Sequence, residues 1–343
     1  AARQSDVAIL FCGSSSASLA RDYNETNCGE GFDLADLALT GAQGKLIKAI
    51  HATGKPVILV LVTGKPFSIA WEKKHIPAIL IQWYAGEQEG SSIANILFGK
   101  TNPSGHLTVS FPQSSGHLPA YYNYLPTDRG FYHKPGSYEQ PGRDYVFSSP
   151  GPLWAFGHGL TYTTFNYTDM QIQQSVDSIK VFVTVKNTGR WAGKAVPQLY
   201  VRDVFSSIST PVKQLKAFNK VALEPGETTR VPLHFAVQDL ALTDEAGKTM
   251  VEPGSFEIMI GDASDHILLK QTISIGQNMA VSPCSIKEQL PEEIGKGNII
   301  HIKGVVRDVQ ATPVDKVEIY STAQQQVIGV TDQNGKYFID APE

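Results

Sequence analysis

A carboxylate between two glycines is the first group in this sequence whose setting suits catalysis. Glu30 lies between Gly29 and Gly31, and Asp33 follows three residues later. Glycine adopts backbone conformations that other residues avoid, so this pattern can present an exposed carboxylate on a sharply bent loop. A carboxyl group held in that way could exchange protons with a substrate. The residue types alone favour a more ordinary interpretation, a turn or helix N-cap that carries surface acids.

The segment around Glu30 follows the first of three strands that apolar runs predict. The strands are expected at Asp6–Gly13, Pro56–Val62 and Ala78–Trp83. The spacing of apolar residues predicts helices over 44–52 and 87–98. Strands that alternate with helices predict a parallel sheet, and ligands bind at the carboxyl edge of such sheets. The first two strands are continuously apolar, which predicts that both are buried.

Composition and periodicity divide the chain into five segments. Residues 1–120 form the α/β region, and residues 121–164 are an aromatic loop or linker. Short runs of period-2 alternation over 165–276 predict an antiparallel β-sandwich. A polar linker over 277–298 leads to a short β module over 299–343. The fold class is therefore multidomain: an incomplete three-layer α/β sandwich with a mostly parallel sheet, an antiparallel β-sandwich, and a short C-terminal β module.

The aromatic loop could stack on sugar rings or pack between two domains, and packing is the favoured interpretation. Its tyrosines are Tyr121, Tyr122, Tyr124, Tyr132, Tyr138 and Tyr145. Four histidines show no shared metal-ligand spacing and are interpreted as structural: His106, His117, His158 and His234.

Composition argues against several classes of function. The 343 residues carry a net charge of −4 without a basic stripe, which disfavours nucleic acid and anionic membranes as partners. No apolar run reaches the length of about 18 residues that a membrane span needs. Three cysteines without CxxC or Cys/His spacing give no metal site, and no cofactor is predicted. Cys28 and Cys284 are expected to stay unbridged because they fall in separate domains.

Five motifs in order give the first part of the chain a resemblance to a known family. They are EGFD…LAL…Q (30–43), GKPV…GKP (54–66), WYAGE (83–87), LFGKTNPSGHL (97–107) and PLWAFGHGLTYT (152–163). This series is similar to that of the family 3 glycoside hydrolases. A further run, VKNTG…GKAVPQLYV (185–201), resembles the fibronectin type III-like domain of the same enzymes. Residues 299–343 resemble, over a shorter stretch, a carboxypeptidase-regulatory-like module, which is generally non-catalytic.

The resemblance implies a retaining β-glycosidase of β-glucosidase or β-xylosidase type, acting on oligosaccharides or on aryl and alkyl glycosides. It implies that Glu30 is the general acid/base and that the nucleophilic Asp belongs to an N-terminal barrel domain of the same protein. The barrel and the first strands of the α/β sandwich would precede Ala1. We therefore expect the chain to be truncated and inactive alone, and the parent protein to be periplasmic or secreted.

The identity of the acid and the class of function both have alternatives. The family usually has Arg after the Asp of its first motif, where this chain has Leu34. Some branches of the family use differently placed loop glutamates, which makes Glu25 the alternative to Glu30. A non-catalytic carbohydrate-binding or scaffolding protein is the alternative function, and an upstream barrel would argue against it. Hexosaminidase-like or phosphorolytic relatives tend to take their acid/base from elsewhere, so the motif at Glu30 disfavours them.

Overall fold

The structure, a computed structural model, divides into two compact units, Ala1–Pro283 and Cys284–Glu343. It describes residues 1–16, 27–31, 33–126 and 148–276, together with the backbones of five further strands between 279 and 342. No helix within these residues is long and apolar enough to cross a membrane. In the first unit, an α/β region precedes a β-sandwich.

The α/β region is built on a small parallel sheet, as the alternation of strands and helices predicts. Its strands are β1 (Ala8–Gly13), β2 (Val57–Thr63) and β3 (Ala78–Trp83), in the order β1-β2-β3. Its helices are α1 (Gln43–His51), α2 (Ala70–His75) and α3 (Glu89–Leu97), with a 3-10 turn at Ala2–Gln4. Leu61 of β2 lies opposite Cys12 of β1 and Ile81 of β3. The sheet has three strands, and a three-layer arrangement around it stays a prediction.

β2 is buried along its length, but β1 is not, so the prediction that both are buried is wrong for β1. Leu59 and Leu61 of β2 are inaccessible to solvent. In β1 alternate side chains face solvent: Ile9 is exposed, and Phe11 is 61% exposed. Successive side chains of a strand point to opposite faces of the sheet, and the described residues leave the face with Ile9 and Phe11 uncovered. The strand also begins at Ala8, two residues later than predicted.

The segment that follows α3 has little regular structure but contributes to the core of the α/β region. Phe111 and Trp154 form an isolated antiparallel bridge, and the Phe111 amide donates to the Trp154 carbonyl at 2.8 Å. Leu107, Phe111 and Leu153 are buried together with residues of α1 and β2. The described part of this segment also has a 3-10 turn at Ser115–His117, and apolar packing together with the Phe111–Trp154 bridge holds it to the core.

The second region is an antiparallel β-sandwich with the period-2 burial that the sequence predicts. Its elements are β4 (Phe165–Gln174), β5 (Ser178–Asn187), β6 (Gly193–Ala195), β7 (Gln198–Asp203), β8 (Gln214–Phe218), β9 (Val221–Leu223), β10 (Thr228–Ala236), a 3-10 turn (Val237–Leu240), β11 (Leu242–Thr243), β12 (Thr249–Val251), β13 (Gly254–Ala263), β14 (His266–Ile275) and β15 (Met279–Ala280). The main sheets have the orders β10-β5-β4 and β14-β13-β7-β8, beside short sheets β6-β9 and β11-β12-β15. One apolar core takes side chains from both main sheets.

A buried asparagine joins four parts of the β-sandwich. Asn187, the last residue of β5, is fully buried. Its Nδ2 donates to the carbonyls of Trp191 at 2.8 Å and Leu223 at 2.9 Å. Its Oδ1 accepts from the Thr163 hydroxyl at 2.7 Å and from the Gly189 amide at 3.0 Å. Both donors and both acceptor positions of the side chain are therefore used, which is what makes its burial tolerable.

Gln198 and Tyr122 lie where the β-sandwich meets the last part of the α/β region. The Gln198 Nε2 donates to the carbonyls of Gly157 at 3.0 Å and Asp262 at 2.7 Å. Tyr122 stacks on Phe156 with 4.3 Å between ring centroids, and it meets the ring of Tyr200 in β7 edge-on with 5.8 Å between centroids. For Tyr122, packing between the two regions is thus the correct interpretation. Three of the other tyrosines lie outside the described residues: Tyr132, Tyr138 and Tyr145.

The second unit contains two antiparallel strand pairs. Its strands are β16 (Ile299–Val305), β17 (Glu318–Ser321), β18 (Gln326–Val330) and β19 (Lys336–Pro342). β16 pairs with β19, and β17 pairs with β18. All four strands lie within the short β module that the sequence predicts over 299–343. The resemblance of this unit to a carboxypeptidase-regulatory-like module is not confirmed and stays a prediction.

Candidate active site

The loop that carries Glu30 returns to the carboxyl end of β1, the edge of the sheet at which the sequence places it. Asn27 and Ser15 bind each other twice: the Ser15 amide donates to Asn27 Oδ1 at 2.7 Å, and the Asn27 amide donates to the Ser15 carbonyl at 3.1 Å. The Asn27 Nδ2 also donates to the hydroxyl of Thr40, just before α1, at 3.0 Å. These bonds fix the point at which the chain enters residues 28–31.

Glu30 is presented on a turn whose shape depends on its two glycine neighbours. Gly29 has φ of +89° and Gly31 has φ of +80°, both in the left-handed region that disfavours residues with a Cβ. The Glu30 side chain is exposed, and its amide donates to the Cys28 sulfur at 3.4 Å. The glycine pattern therefore has the conformational function that the sequence predicts, and it leaves the carboxylate facing solvent.

Tyr84, which directly follows β3, contacts the start of this loop. Its hydroxyl donates to the Ser14 carbonyl at 2.9 Å and lies 3.1 Å from the Ser14 Oγ. Burial raises the pKa of Tyr84, while its hydrogen bond with the Ser14 side chain acts in the opposite direction. Gly64, which follows β2, leaves room for the ring, since a Cβ there would lie 2.7 Å from Tyr84 Cε2. Residues after all three strands thus meet at one edge.

Lys65, two residues after β2, places an ammonium group against the same loop. The residue is 7% exposed, and its Nζ donates to the Asn27 carbonyl at 3.1 Å. Burial lowers the pKa of Lys65, and the nearby side chains of Cys28 and Asp36 raise it. The Thr63 hydroxyl holds the Lys65 backbone, accepting from its amide at 3.0 Å and donating to its carbonyl at 2.7 Å.

Sequence reasoning does not single out Lys65. The signal that could have identified it is its place in the GKP motif, one residue beyond the glycine that follows a buried strand.

Gln43, the last residue of the first motif, binds both backbone groups of Gly13. The Gly13 amide donates to Gln43 Oε1 at 2.7 Å, and the Gln43 Nε2 donates to the Gly13 carbonyl at 2.9 Å. Gly13 has φ of +148°, and a Cβ at this position would overlap the backbone of Val62. The end of β1 is therefore pressed against β2 and tied to the first turn of α1, where only glycine fits.

Asp36 fixes the part of the loop that follows Glu30. Its Oδ1 accepts from the Ala38 amide at 3.1 Å and from the Ser115 hydroxyl at 3.2 Å. These two hydrogen bonds lower the pKa of Asp36, so its carboxylate stays ionised at neutral pH. Asp33 is exposed, like Glu30. All three acids of the loop are exposed, and hydrogen bonds hold Asp36 to Ala38 and Ser115.

Three predictions from the sequence concern the alternative acid, the cysteines and metal binding. Glu25, the alternative acid, lies outside the described residues. Cys28 has a free thiol, but Cys284 also lies outside the described residues, so the absence of a bridge stays a prediction. Within the part of the chain that the structure describes, no group of three or more His, Cys, Asp or Glu side chains could hold a metal ion.

Two family models match the chain, one for each region of the first unit. Residues 1–162 match the model of the glycosyl hydrolase family 3 C-terminal domain. Residues 195–264 match the model of the fibronectin type III-like domain. The two matches follow the order of the α/β region and the β-sandwich in the structure.

The chain is similar to curated enzymes and solved structures over about four fifths of its length. A β-xylosidase from Formosa agariphila is 40% identical over 283 residues, 80% of this chain and 36% of the relative. A periplasmic β-glucosidase from Salmonella typhimurium is 39% identical, over 78% of this chain and 34% of the relative. The crystal structure of a β-glucosidase from Listeria innocua with glucose aligns with a TM-score of 0.68 and 33% identity, over 80% of this chain and 37% of that chain. The chain therefore spans about a third of the length of the relatives that it matches.

Proposed function

Because residues 1–162 belong to the C-terminal domain of glycosyl hydrolase family 3, we propose that this chain is part of a retaining β-glycosidase and supplies its general acid/base, Glu30. The setting of Glu30 carries the proposal. It is an exposed carboxylate between two left-handed glycines, on an anchored loop at the carboxyl end of a parallel sheet. A loop of this kind can reach into a site that a neighbouring domain completes.

In the proposed reaction Glu30 acts first as an acid and then as a base. Its carboxyl proton passes to the glycosidic oxygen while an Asp of a barrel domain attacks the anomeric carbon, so the bond to the leaving group breaks and a glycosyl ester forms. The Glu30 carboxylate then takes a proton from water as the water oxygen attacks the anomeric carbon and releases the Asp. The two carboxyl groups need a separation of about 5–5.5 Å.

A barrel domain of the same protein is the proposed partner of this loop for a physical reason. A general acid needs a raised pKa, which burial or a nearby carboxylate provides. The side chain of Glu30 is exposed in this chain. A barrel that covers the loop would supply both the burial and the second carboxylate, so the 343-residue chain alone is expected to be inactive.

The proposed substrates are β-glucosides or β-xylosides, as oligosaccharides or as aryl and alkyl glycosides. Support comes from relatives that are a β-xylosidase and a periplasmic β-glucosidase. A periplasmic or secreted location is proposed for the parent protein on the second of these relatives.

The test is Glu30→Ala in the parent protein that includes the barrel. A good leaving group departs without a proton, whereas a poor one needs the acid. We expect kcat/KM to fall about 10²–10⁴-fold on alkyl glycosides or disaccharides and much less on a dinitrophenyl glycoside. Added azide should accelerate turnover of the dinitrophenyl substrate by replacing base-activated water, and the product should be a β-glycosyl azide.

Glu25→Ala is the comparison variant, and it should show neither the leaving-group dependence nor the azide product. If Glu25→Ala shows both and Glu30→Ala shows neither, the acid is Glu25. If neither variant shows them, the acid lies outside residues 25–30 and the proposed role of this loop is wrong.

A further inference from the structure

Lys65 is a charged side chain in a place where charge is costly. The residue is 7% exposed, and lysine is almost never buried to this extent unless it is paired. An isolated ammonium group taken out of water loses several kcal/mol of solvation, by order of magnitude. A neutral side chain of similar length would fill the same space without this penalty, so the charge itself must have a use at this position.

The contacts of Lys65 converge on the loop that carries Glu30. The Nζ donates to the Asn27 carbonyl, three residues before Glu30. The side chains of Cys28 and Asp36, on the two sides of Glu30 in the sequence, both favour the charged form of Lys65. The centroid of the Phe67 ring lies 5.0 Å from Nζ. The ammonium group thus binds the residue just before the turn at 28–31, and the charges of Cys28 and Asp36 favour its charged form.

This turn needs an anchor because its glycines leave it free to bend. Gly29 and Gly31 both occupy left-handed conformations, and glycine has more accessible conformations than any other residue. A proton donor loses efficiency rapidly when it is displaced, by about 10²-fold for a shift of 1 Å. The carbonyl that Lys65 binds lies two residues before the first of these glycines.

We infer that Lys65 is a positioning residue for Glu30: its ammonium group holds the Asn27 carbonyl, and through it sets the location of the carboxylate relative to the glycosidic oxygen. The inference rests on the proposed role of Glu30. Lys65 itself touches neither substrate nor reacting atoms and transfers no proton. A purely structural lysine would stabilise the α/β region without any selective effect on protonation of the leaving group.

The test is Lys65→Met in the parent protein with its barrel domain, since Met has a similar length and no charge. The quantity to measure is the ratio of kcat/KM for a dinitrophenyl glycoside to that for an alkyl glycoside of the same sugar. This ratio does not depend on the fraction of enzyme that is folded. We expect Lys65→Met to raise it by about tenfold to hundredfold. Lys65→Arg, which keeps the charge and its donors, should recover most of the difference.

Two further variants test whether the effect of Lys65 depends on Glu30. In Lys65→Met/Glu30→Ala the ratio should equal that of Glu30→Ala alone, because a displaced acid and a missing acid have the same consequence. Lys45→Met removes an exposed lysine of α1 and should leave the ratio unchanged.

The outcomes separate this inference from the proposal on which it rests. A uniform loss on both substrates with Lys65→Met, or no loss, overturns the positioning role while Glu30→Ala can still confirm the acid. If Lys65→Met fails to fold, Lys65→Gln, which also lacks the charge, takes its place: a raised ratio supports the positioning role, and an unchanged ratio overturns it. An unchanged ratio in Glu30→Ala refutes the proposed function itself.

Discussion

Polar side chains contact the backbone both at the carboxyl edge of the parallel sheet and inside the β-sandwich, but these contacts have different consequences in the two regions. At the sheet edge, the buried Lys65 binds the backbone of the segment that leads to an exposed acid, and the half-buried Gln43 binds the end of β1. In the β-sandwich, Asn187 binds the backbone of strand ends that are already held by an apolar core. Polar contacts therefore hold an exposed loop in one region and complete a framework of strands in the other.

The difference predicts where damage appears when a contact is lost. The β-sandwich has one continuous apolar core, so loss of its asparagine should reduce stability and leave the loop geometry intact. The sheet edge has few apolar side chains at residues 27–31, so loss of a polar contact there should change the position of Glu30. Substitutions at Gly13, Asn187 and His158 test this difference between the two regions.

Gly13→Ala should have the largest effect, because it disturbs the backbone on which the sheet edge depends. A Cβ at residue 13 overlaps the Val62 backbone, and φ of +148° is strained for alanine. We expect a loss of about 3–5 kcal/mol in the free energy of unfolding, measured by urea denaturation. Gly54→Ala is the matched control: Gly54 also has positive φ, at +78°, but no atom lies within 4 Å of an added Cβ. Its cost should be about 1–2 kcal/mol.

A similar loss for both glycine variants would show that backbone strain alone matters at Gly13. In that case the close approach of β1 to β2 at Gly13 would not contribute to the stability of the carboxyl edge.

Asn187→Leu should come next, because it leaves the carbonyls of Trp191 and Leu223 and the Thr163 hydroxyl without their partner. Unpaired buried polar groups cost about 1–3 kcal/mol each, with partial relief by relaxation, so we expect a total loss of about 2–4 kcal/mol. Asn166→Leu, at an exposed position of β4, should change the free energy of unfolding by less than about 0.5 kcal/mol. Circular dichroism during urea denaturation measures both.

In the folded enzyme, Asn187→Leu should leave unchanged the ratio of kcat/KM for a dinitrophenyl glycoside to that for an alkyl glycoside. A changed ratio would mean that the β-sandwich also sets the position of Glu30, and the separation between the two regions would be wrong.

His158 should give the smallest effect, and only in acid. Burial lowers the pKa of His158, with smaller contributions from four charged groups around it: Asp265, Lys73, His106 and Asp262. The unfolded chain, with a His pKa of about 6.5, therefore binds more protons than the folded chain just below that pH. The stability that neutral His158 contributes is complete above about pH 6.5 and is lost as the pH falls from there towards the folded pKa.

His158→Gln should accordingly flatten the dependence of the urea midpoint on pH between about pH 7.5 and 5. Because the neighbouring acids come from the β-sandwich and Lys73 from the α/β region, this variant tests the junction of the two. An unchanged slope would assign the acid sensitivity to other groups.

Much of the fold follows from local pattern, and the exceptions have physical causes. Period-2 alternation over 165–276 predicts the β-sandwich, and the apolar run of β2 predicts its bounds to within one residue, because burial on one or both faces is visible in the sequence. α2 is missed, since six residues give too few turns for a helical period to be visible. The exposure of β1 is missed because what covers each face of the sheet is not encoded in the strand itself.

Part of the candidate site can likewise be predicted from local sequence pattern, and part cannot. The position of Glu30 after the first strand of a parallel sheet follows from the order of elements, and its glycine neighbours indicate the turn. The contact between Lys65 and Asn27 joins residues that are 38 positions apart, so it becomes visible only when strands β1 and β2 are placed side by side. Which of the two loop glutamates is the acid stays a prediction, since Glu25 lies outside the described residues.

The exposed edge of β1 has a consequence for how concentrated solutions of this chain behave. An unpaired strand edge is a template on which another chain can add a strand, and Phe11 gives such an encounter an apolar surface. In the β-sandwich, the edge strand β10 contains Pro232, whose carbonyl accepts from Asn219 and whose nitrogen has no hydrogen to offer a second strand. Within the described residues, another chain can therefore add a strand at the edge of β1, whereas Pro232 protects the edge strand β10.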